Sequence, residues 1–111
     1  MRTMFRADLD RLITDLARMA RRAGQMVTNA SNALHQNDIT FAGLVIAERE
    51  RMNSIHNDTE RRCMTLLALQ SPVAGDLRVV IEALPAAGHV KWMGSRACQT
   101  AVMARLKHPN P

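Results

Sequence analysis

His56 and Glu60 stand four residues apart, a spacing that puts both side chains on one face of a helix and lets both reach a single cation. Two weakly placed ligands without further partners do not make a site, so a solvated pair is expected. A di-iron centre in a helical protein needs Glu-x-x-His on facing helices. The residues three before His35, His56, His89 and His108 are Asn32, Asn53, Ala86 and Arg105, which removes that chemistry. Cys63 and Cys98 form no CxxC and no Cys/His cluster at zinc spacing. They are expected as two small buried hydrophobes in a reducing compartment. The GxSxG, GxxxxGK[ST], HExxH and GxGxxG signatures are missing. The residues therefore point to no catalysis and no cofactor.

Charge is the next chemistry to place. Lys plus Arg number 15 against 10 Asp plus Glu, a net +5, and 13 of the cations are arginine. Such a surplus favours an acidic protein, an acidic membrane or nucleic acid. Arg11, Arg18 and Arg22 share a face of the first helical segment, and Arg49, Arg51, Arg61 and Arg62 fall in the second. Asp8, Asp15, Glu48 and Asp58 precede Arg11, Arg18, Arg51 and Arg61 by three residues, so local pairing is expected. Nucleic-acid binders more often add a helix-turn-helix or stacking aromatics, and neither is present. That function is disfavoured.

The elements that position these residues follow from composition and period. The chain has 111 residues, 47% hydrophobic and only 3% aromatic, too few rings for a sandwich or barrel. Between Thr3 and Gln36, Leu9, Leu12, Leu16, Met19, Ala23, Met26, Ala30 and Ala33 recur at three and four, broadened by Ile13, Ala20, Val27 and Leu34. Asn37 and Asp38 break this helix, with Asp38 as N-cap of a second carrying Phe41, Val45, Met52, Ile55, Leu66 and Leu69 to about Gln70. Ser71 and Pro72 read as N-cap and first position of a third, through Leu77, Ile81, Leu84, Val90, Met93, Ala97, Ala101 and Leu106. The fold expected is all-α, an antiparallel three-helix bundle over residues 1–108 with a tail at 109–111. Pro85 should kink the third helix between Ile81 and Gly88, and the methionines should fill core. With no signal-peptide pattern and no run of about 18 apolar residues, the chain reads as cytoplasmic.

One stretch is specific. Leu66 to Val80, LLALQSPVAGDLRVV, resembles the PhoU family of phosphate-transport accessory regulators, in which a Leu-rich helix end turns at a proline and re-enters helix through VAGDLR. Ala33 to Glu50 and the opening MRT, with Phe5 and Leu9, are similar to the same family, especially its actinobacterial PhoY type. The resemblance covers essentially the whole chain. Its corner falls on Pro72, Val73, Ala74, Gly75, Asp76, Leu77 and Arg78, whose role would be to hold the hairpin between the second and third helices.

The resemblance also implies two tandem three-helix repeats, each with acidic motifs that bind metal, and here the chain departs. The family's DLERIGD-type motif falls on HVKWMGS, so His89, Lys91 and Ser95 replace its acids while Met93 and Gly94 keep the pattern. On the second helix the acidic positions read Arg49 and Asn53. A cation at a carboxylate position repels a metal as well as failing to bind it, so no metal site is expected. Only one repeat is present, which predicts a homo-oligomer, a dimer for example, or docking on a PhoU-like partner chain. By resemblance the protein is a non-enzymatic regulator of phosphate uptake and phosphate signalling, contacting the ATPase subunit of a phosphate ABC transporter and a PhoR-type sensor kinase. Arg18, Arg22, Lys91 and Arg96 are the candidate partner contacts. The alternatives are a vestigial repeat without activity, a module binding metal through Glu48, Asp58, Glu60 or His56, and a basic helical binder of nucleic acid.

Overall fold

The computed structural model describes residues 2–68 and 74–110, with side chains at 5–68 and 77–110. Three helices, α1 (Arg2–Gln36), α2 (Ile39–Ala68) and α3 (Ala74–Lys107), pack each against the other two in a bundle of 58 × 17 × 16 Å. The short α1–α2 turn reverses the chain, so α1 and α3 run in the same direction with α2 against them.

The turn is built as its residues demand. Asn37 takes a left-handed φ of 54°, which asparagine tolerates better than most residues, and the Asp38 N–H donates back to the Ala33 carbonyl at 3.3 Å to close α1. Asp38 Oδ1 then accepts from the Thr40 N–H at 2.9 Å, making Asp38 the N-cap of α2 as expected. The Asn37 amide also donates to the Pro109 carbonyl at 2.6 Å, which fastens the segment after α3 to the same end of the bundle. The expected helix end at Gln70, the Ser71 cap, Pro72 and Val73, and core residue Leu69 lie outside the described residues, as do the side chains of Ala74, Gly75 and Asp76.

The core runs the length of the rod in two connected parts. Near the start of α1, Leu9 and Leu12 meet Cys63, Leu66, Val80 and Ala83. Toward the Asn37 turn it becomes slender, with Ala23, Ala30, Ala33, Ala42, Ala97, Ala101 and Ala104 around Met19, Met26 and Met52. Gly94 sits where a Cβ would meet the Met26 sulfur and Met52 Cγ at 3.4 Å. Small residues draw the helices together there, so a narrow stripe is enough to close the core.

That narrowness corrects several expectations. Ile13, Ala20, Val27 and Leu34 do not join the core but stand exposed beside it. On α3, Ile81, Met93 and Leu106 are exposed, and the buried set is Val80, Ala83, Ala87, Ala97, Cys98, Ala101 and Ala104. Met19, Met26 and Met52 fill core as expected, whereas Met64, Met93 and Met103 face solvent. α3 thus carries a second apolar stripe on its outer side. Ile81, Trp92 and Met103 recur every eleven residues, three helical turns, with Leu106, 81% exposed, continuing the line.

α3 continues as helix through Pro85, and the expected kink there is not in evidence. Proline offers no N–H to the Ile81 carbonyl. Ile81 and Pro85 are both exposed, so the carbonyl left over is on the wet side of the helix.

Candidate functional site

Among the described residues no group of three or more His, Cys, Asp or Glu could hold a metal ion. His56 and Glu60 do approach, Nε2 to Oε2 at 3.9 Å, but the imidazole is buried and the carboxylate exposed, so the expected solvated pair is corrected: α2 turns the ring inward. The positions that replace the family acids lie on α2 and α3. Arg49, His89 and Ser95 are exposed, and Asn53 and Lys91 are half-buried. Arg49 is close enough to Cys98 for its positive charge to oppose part of the burial effect on that thiol.

Both cysteines are free and buried, as expected. Burial pushes the Cys63 thiol above its ordinary range, and the Glu60 carboxylate adds to the rise. Burial does the same to Cys98, whose Sγ lies 3.7 Å from the Val45 carbonyl and donates toward it. Neither is a nucleophile at neutral pH, because the reactive form is the thiolate.

Two of the surface grooves carry candidate contact residues. One, of about 460 Å³, lies between α1 and α2 and is lined by Arg21, Arg22, Gln25, Asn29, Leu44, Ala47, Glu48 and Arg51. Within it Glu48 receives Arg22 Nη1 through both oxygens, at 3.0 and 2.9 Å, and Arg51 approaches at 3.6 Å. A carboxylate on α2 thus gathers cations from two helices. The local-pairing expectation holds for Glu48 with Arg51 and for Asp58 with Arg61, at 3.4 Å. It is corrected at Asp15, which faces Arg62 of α2 at 3.8 Å, because a neighbouring helix brings a cation to the half-buried carboxylate. Arg78, from the family-motif corner, pairs with Glu82 at 3.4 Å on the exposed side of α3, with Leu77 half-buried beside it.

The second groove, of about 360 Å³, lies between the C-terminal halves of α1 and α3. Val27, Ala30 and Leu34 from α1 face Met93, Ala97 and Thr100 from α3, with Ser31 and His35 on one rim and Trp92 and Arg96 on the other. The Arg96 guanidinium stacks over the Trp92 ring, 5.1 Å from its centroid, and Nη1 donates to Gln99 at 3.1 Å. Of the four expected contact residues, Arg22 belongs to the first groove and Arg96 to the second; Arg18 is exposed on α1 and Lys91 half-buried on α3. They do not form one patch. Sequence reasoning missed the apolar members of the second groove. The signal was available, since Ile13, Ala20, Val27 and Leu34 recur every seven residues alongside the core stripe.

Comparison with known proteins gives this arrangement a context. The profile of the PhoU domain matches residues 16–103. The chain is 37% identical over 109 residues to "Phosphate-specific transport system accessory protein PhoU homolog 2" of Mycobacterium tuberculosis, covering 98% of this chain and 51% of that protein. It is 36% identical over 110 residues to PhoU homolog 1 of the same species, covering 99% and 50%. It is 28% identical over 104 residues to the PhoU homolog of Aquifex aeolicus, covering 94% and 47%. The chain spans about half the length of the curated relatives it matches. No solved structure matches.

Proposed function

Because the chain belongs to the PhoU family, we propose that it is a non-catalytic accessory regulator of phosphate uptake and phosphate-responsive signalling, working by protein contact in the cytoplasm. The observation that carries this reading is similarity along nearly the whole chain to proteins named as phosphate-specific transport accessory proteins. The surface agrees in kind: exposed apolar side chains along α1 and α3, set among arginines, are what a contact protein displays.

In this reading residues 1–108 make one PhoU-like repeat and 109–111 a tail. The family-motif corner from Pro72 to Arg78 is taken as a structural element rather than a binding site. Regulation proceeds without a metal cluster, since His89, Lys91, Ser95, Arg49 and Asn53 put no carboxylate where the family's acids stand. The partners are the ATPase subunit of a phosphate ABC transporter, a PhoR-type sensor kinase, and a second copy or another PhoU-like chain. Among the described residues no helix is long and apolar enough to cross a membrane.

The experiment is a pull-down of purified protein against the transporter ATPase, the kinase and a full-length two-repeat homologue, at low and high salt and with and without chelator. Binding that chelator leaves intact and salt weakens supports the reading, since exposed charges are screened within about 10 Å at 0.1 M salt. Absence of binding to all three at low salt, with no phosphate-signalling phenotype on deletion, would leave a vestigial repeat.

A further inference from the structure

We propose that the groove between α1 and α3 is a docking site for an amphipathic helix of a partner protein, with apolar anchors on one face and carboxylates on its flanks. The proposal deepens the protein-contact reading above by giving that contact a surface and a ligand chemistry, and it rests on that reading for its biological meaning only.

Shape is the first argument. α1 and α3 run side by side in the same direction and leave a furrow about two helical turns long, with Ala30 and Ala97 at its floor and Val27, Leu34 and Met93 on its sides. Neighbouring helices pack with axes about 8–10 Å apart, so the furrow between two of them accepts the side chains of a third. Val27 and Leu34 lie two turns apart, and Ala20 and Ile13 repeat that interval toward the start of α1. This is a ladder for anchors at i, i+3 or i+4, and i+7. Trp92, 59% exposed, forms a wall with an apolar face and an indole N–H, the kind of side chain that anchors interfaces.

Charge selects the occupant. α1 contains no Asp or Glu between Asp15 and Asp38, and the chain has none after Glu82. None of the residues lining the groove is acidic. On the rim, Arg96 is held in place by Trp92 and Gln99 rather than by a carboxylate. A helix flanked by Glu or Asp would find its counter-charges already positioned. A second copy of this chain, entering by the same groove, would set Arg96 and the uniformly basic end of α3 against themselves. A flat anionic bilayer would reach the outer stripe of Trp92, Met103 and Leu106 and miss the floor.

Trp92 is the chain's only tryptophan, so its emission reports occupancy directly. The probe is a helical peptide of about five turns with Leu at heptad a and d positions and Glu beside them, compared with the same peptide carrying Lys for Glu. The acidic peptide should shift Trp92 emission to the blue saturably. Leu34→Glu and Arg96→Glu should each weaken it about tenfold or more, a change of about 1.4 kcal/mol per factor of ten. Met64→Glu, on the exposed side of α2, should not. Arg96→Glu should also gain affinity for the Lys peptide, which a merely unfolded variant could not do. No shift with the acidic peptide, or an equal shift with both peptides, overturns the proposal. A shift given only by phosphatidylglycerol vesicles, or only by raising protein concentration, overturns it in favour of a membrane or a second copy. If the peptide binds while all three pull-downs are empty and deletion gives no phosphate-signalling phenotype, the regulatory reading fails and the groove stands; the reverse pattern removes the groove alone.

Discussion

The pairing of Arg22 with Glu48 gives a sharp test because the same arginine looked like a partner contact in the sequence. If the guanidinium is committed inside the molecule, removing it should cost stability. Two oxygens of Glu48 accept from one Nη1 at 3.0 and 2.9 Å, across two helices, with the side chains 33% and 24% exposed. Charged hydrogen bonds shielded from water contribute about 1.5–3 kcal/mol, and fully exposed ion pairs about 0.2–1 kcal/mol. A bridge open to solvent to this degree belongs between them, so the coupling should be about 1 kcal/mol. Arg22→Met, Glu48→Gln and the double variant form the cycle, read by urea unfolding followed by circular dichroism. Each single variant should melt about 4 °C lower for each kcal/mol lost. The coupling should shrink from about 0.1 M to about 1 M NaCl, as the Debye length falls from about 10 to about 3 Å. Arg51→Ala should do little, since its contact is longer and its side chain lies in water. A coupling below about 0.3 kcal/mol, with wild-type helicity throughout, would refute the assignment and return Arg22 to the free surface.

Other outcomes follow from the same packing. Gly24 has nothing within 4 Å of where a Cβ would stand, so Gly24→Ala should raise stability by about 0.5–1 kcal/mol in a thermal melt, whereas Gly94→Leu should lower it by about 1–3 kcal/mol by forcing Met26 and Met52 apart. Pro85→Ala should restore a bond to the Ile81 carbonyl and stabilise α3 by up to about 3 kcal/mol; a lower melting temperature would show that the proline is part of the packing. Cys63 and Cys98 should resist a thiol reagent in the native protein and react fully in denaturant. Their folded pKa values are raised, so the folded state holds the protons longer and stability should fall as pH rises past about 8.5, where unfolded thiols ionise. Purified protein should carry less than about half an equivalent of iron or zinc by elemental analysis; more than that, lost on mutating Glu48, Asp58 or Glu60, would reveal a carboxylate site.

How much of this was legible beforehand varies by helix. The breaks and the core stripe of α1 were, because Leu9, Leu12, Met19, Ala23 and Met26 stand apart from a polar remainder and Asn37-Asp38 is an unambiguous stop. α3 was not, since apolar residues occupy every side of it. By period alone Ile81, Met93 and Leu106 were as good candidates for the core as Val80, Ala97 and Ala101, and only the positions of α1 and α2 decide between them. The same limit hid the second groove, which no single helix contains. Spacing rules also failed at Asp15: the residue three along is Arg18, but a cation on another helix was nearer.

Three is an odd number of helices, and that leaves an electrical remainder. Each helix carries about half a unit of negative charge at its C-terminal end and half a positive at the other. α2 cancels one of its neighbours, and the end where α1 and α3 finish together keeps the surplus of the other. Arg105 and Lys107 in the last turn of α3 sit at that end. Part of the basic excess therefore answers the backbone of this protein before it answers any ligand, and reversing Arg105 or Lys107 would fray α3. The dipole's influence fades within one turn, so Arg96, more than two turns inside, is a cation whose reversal leaves the helix end untouched.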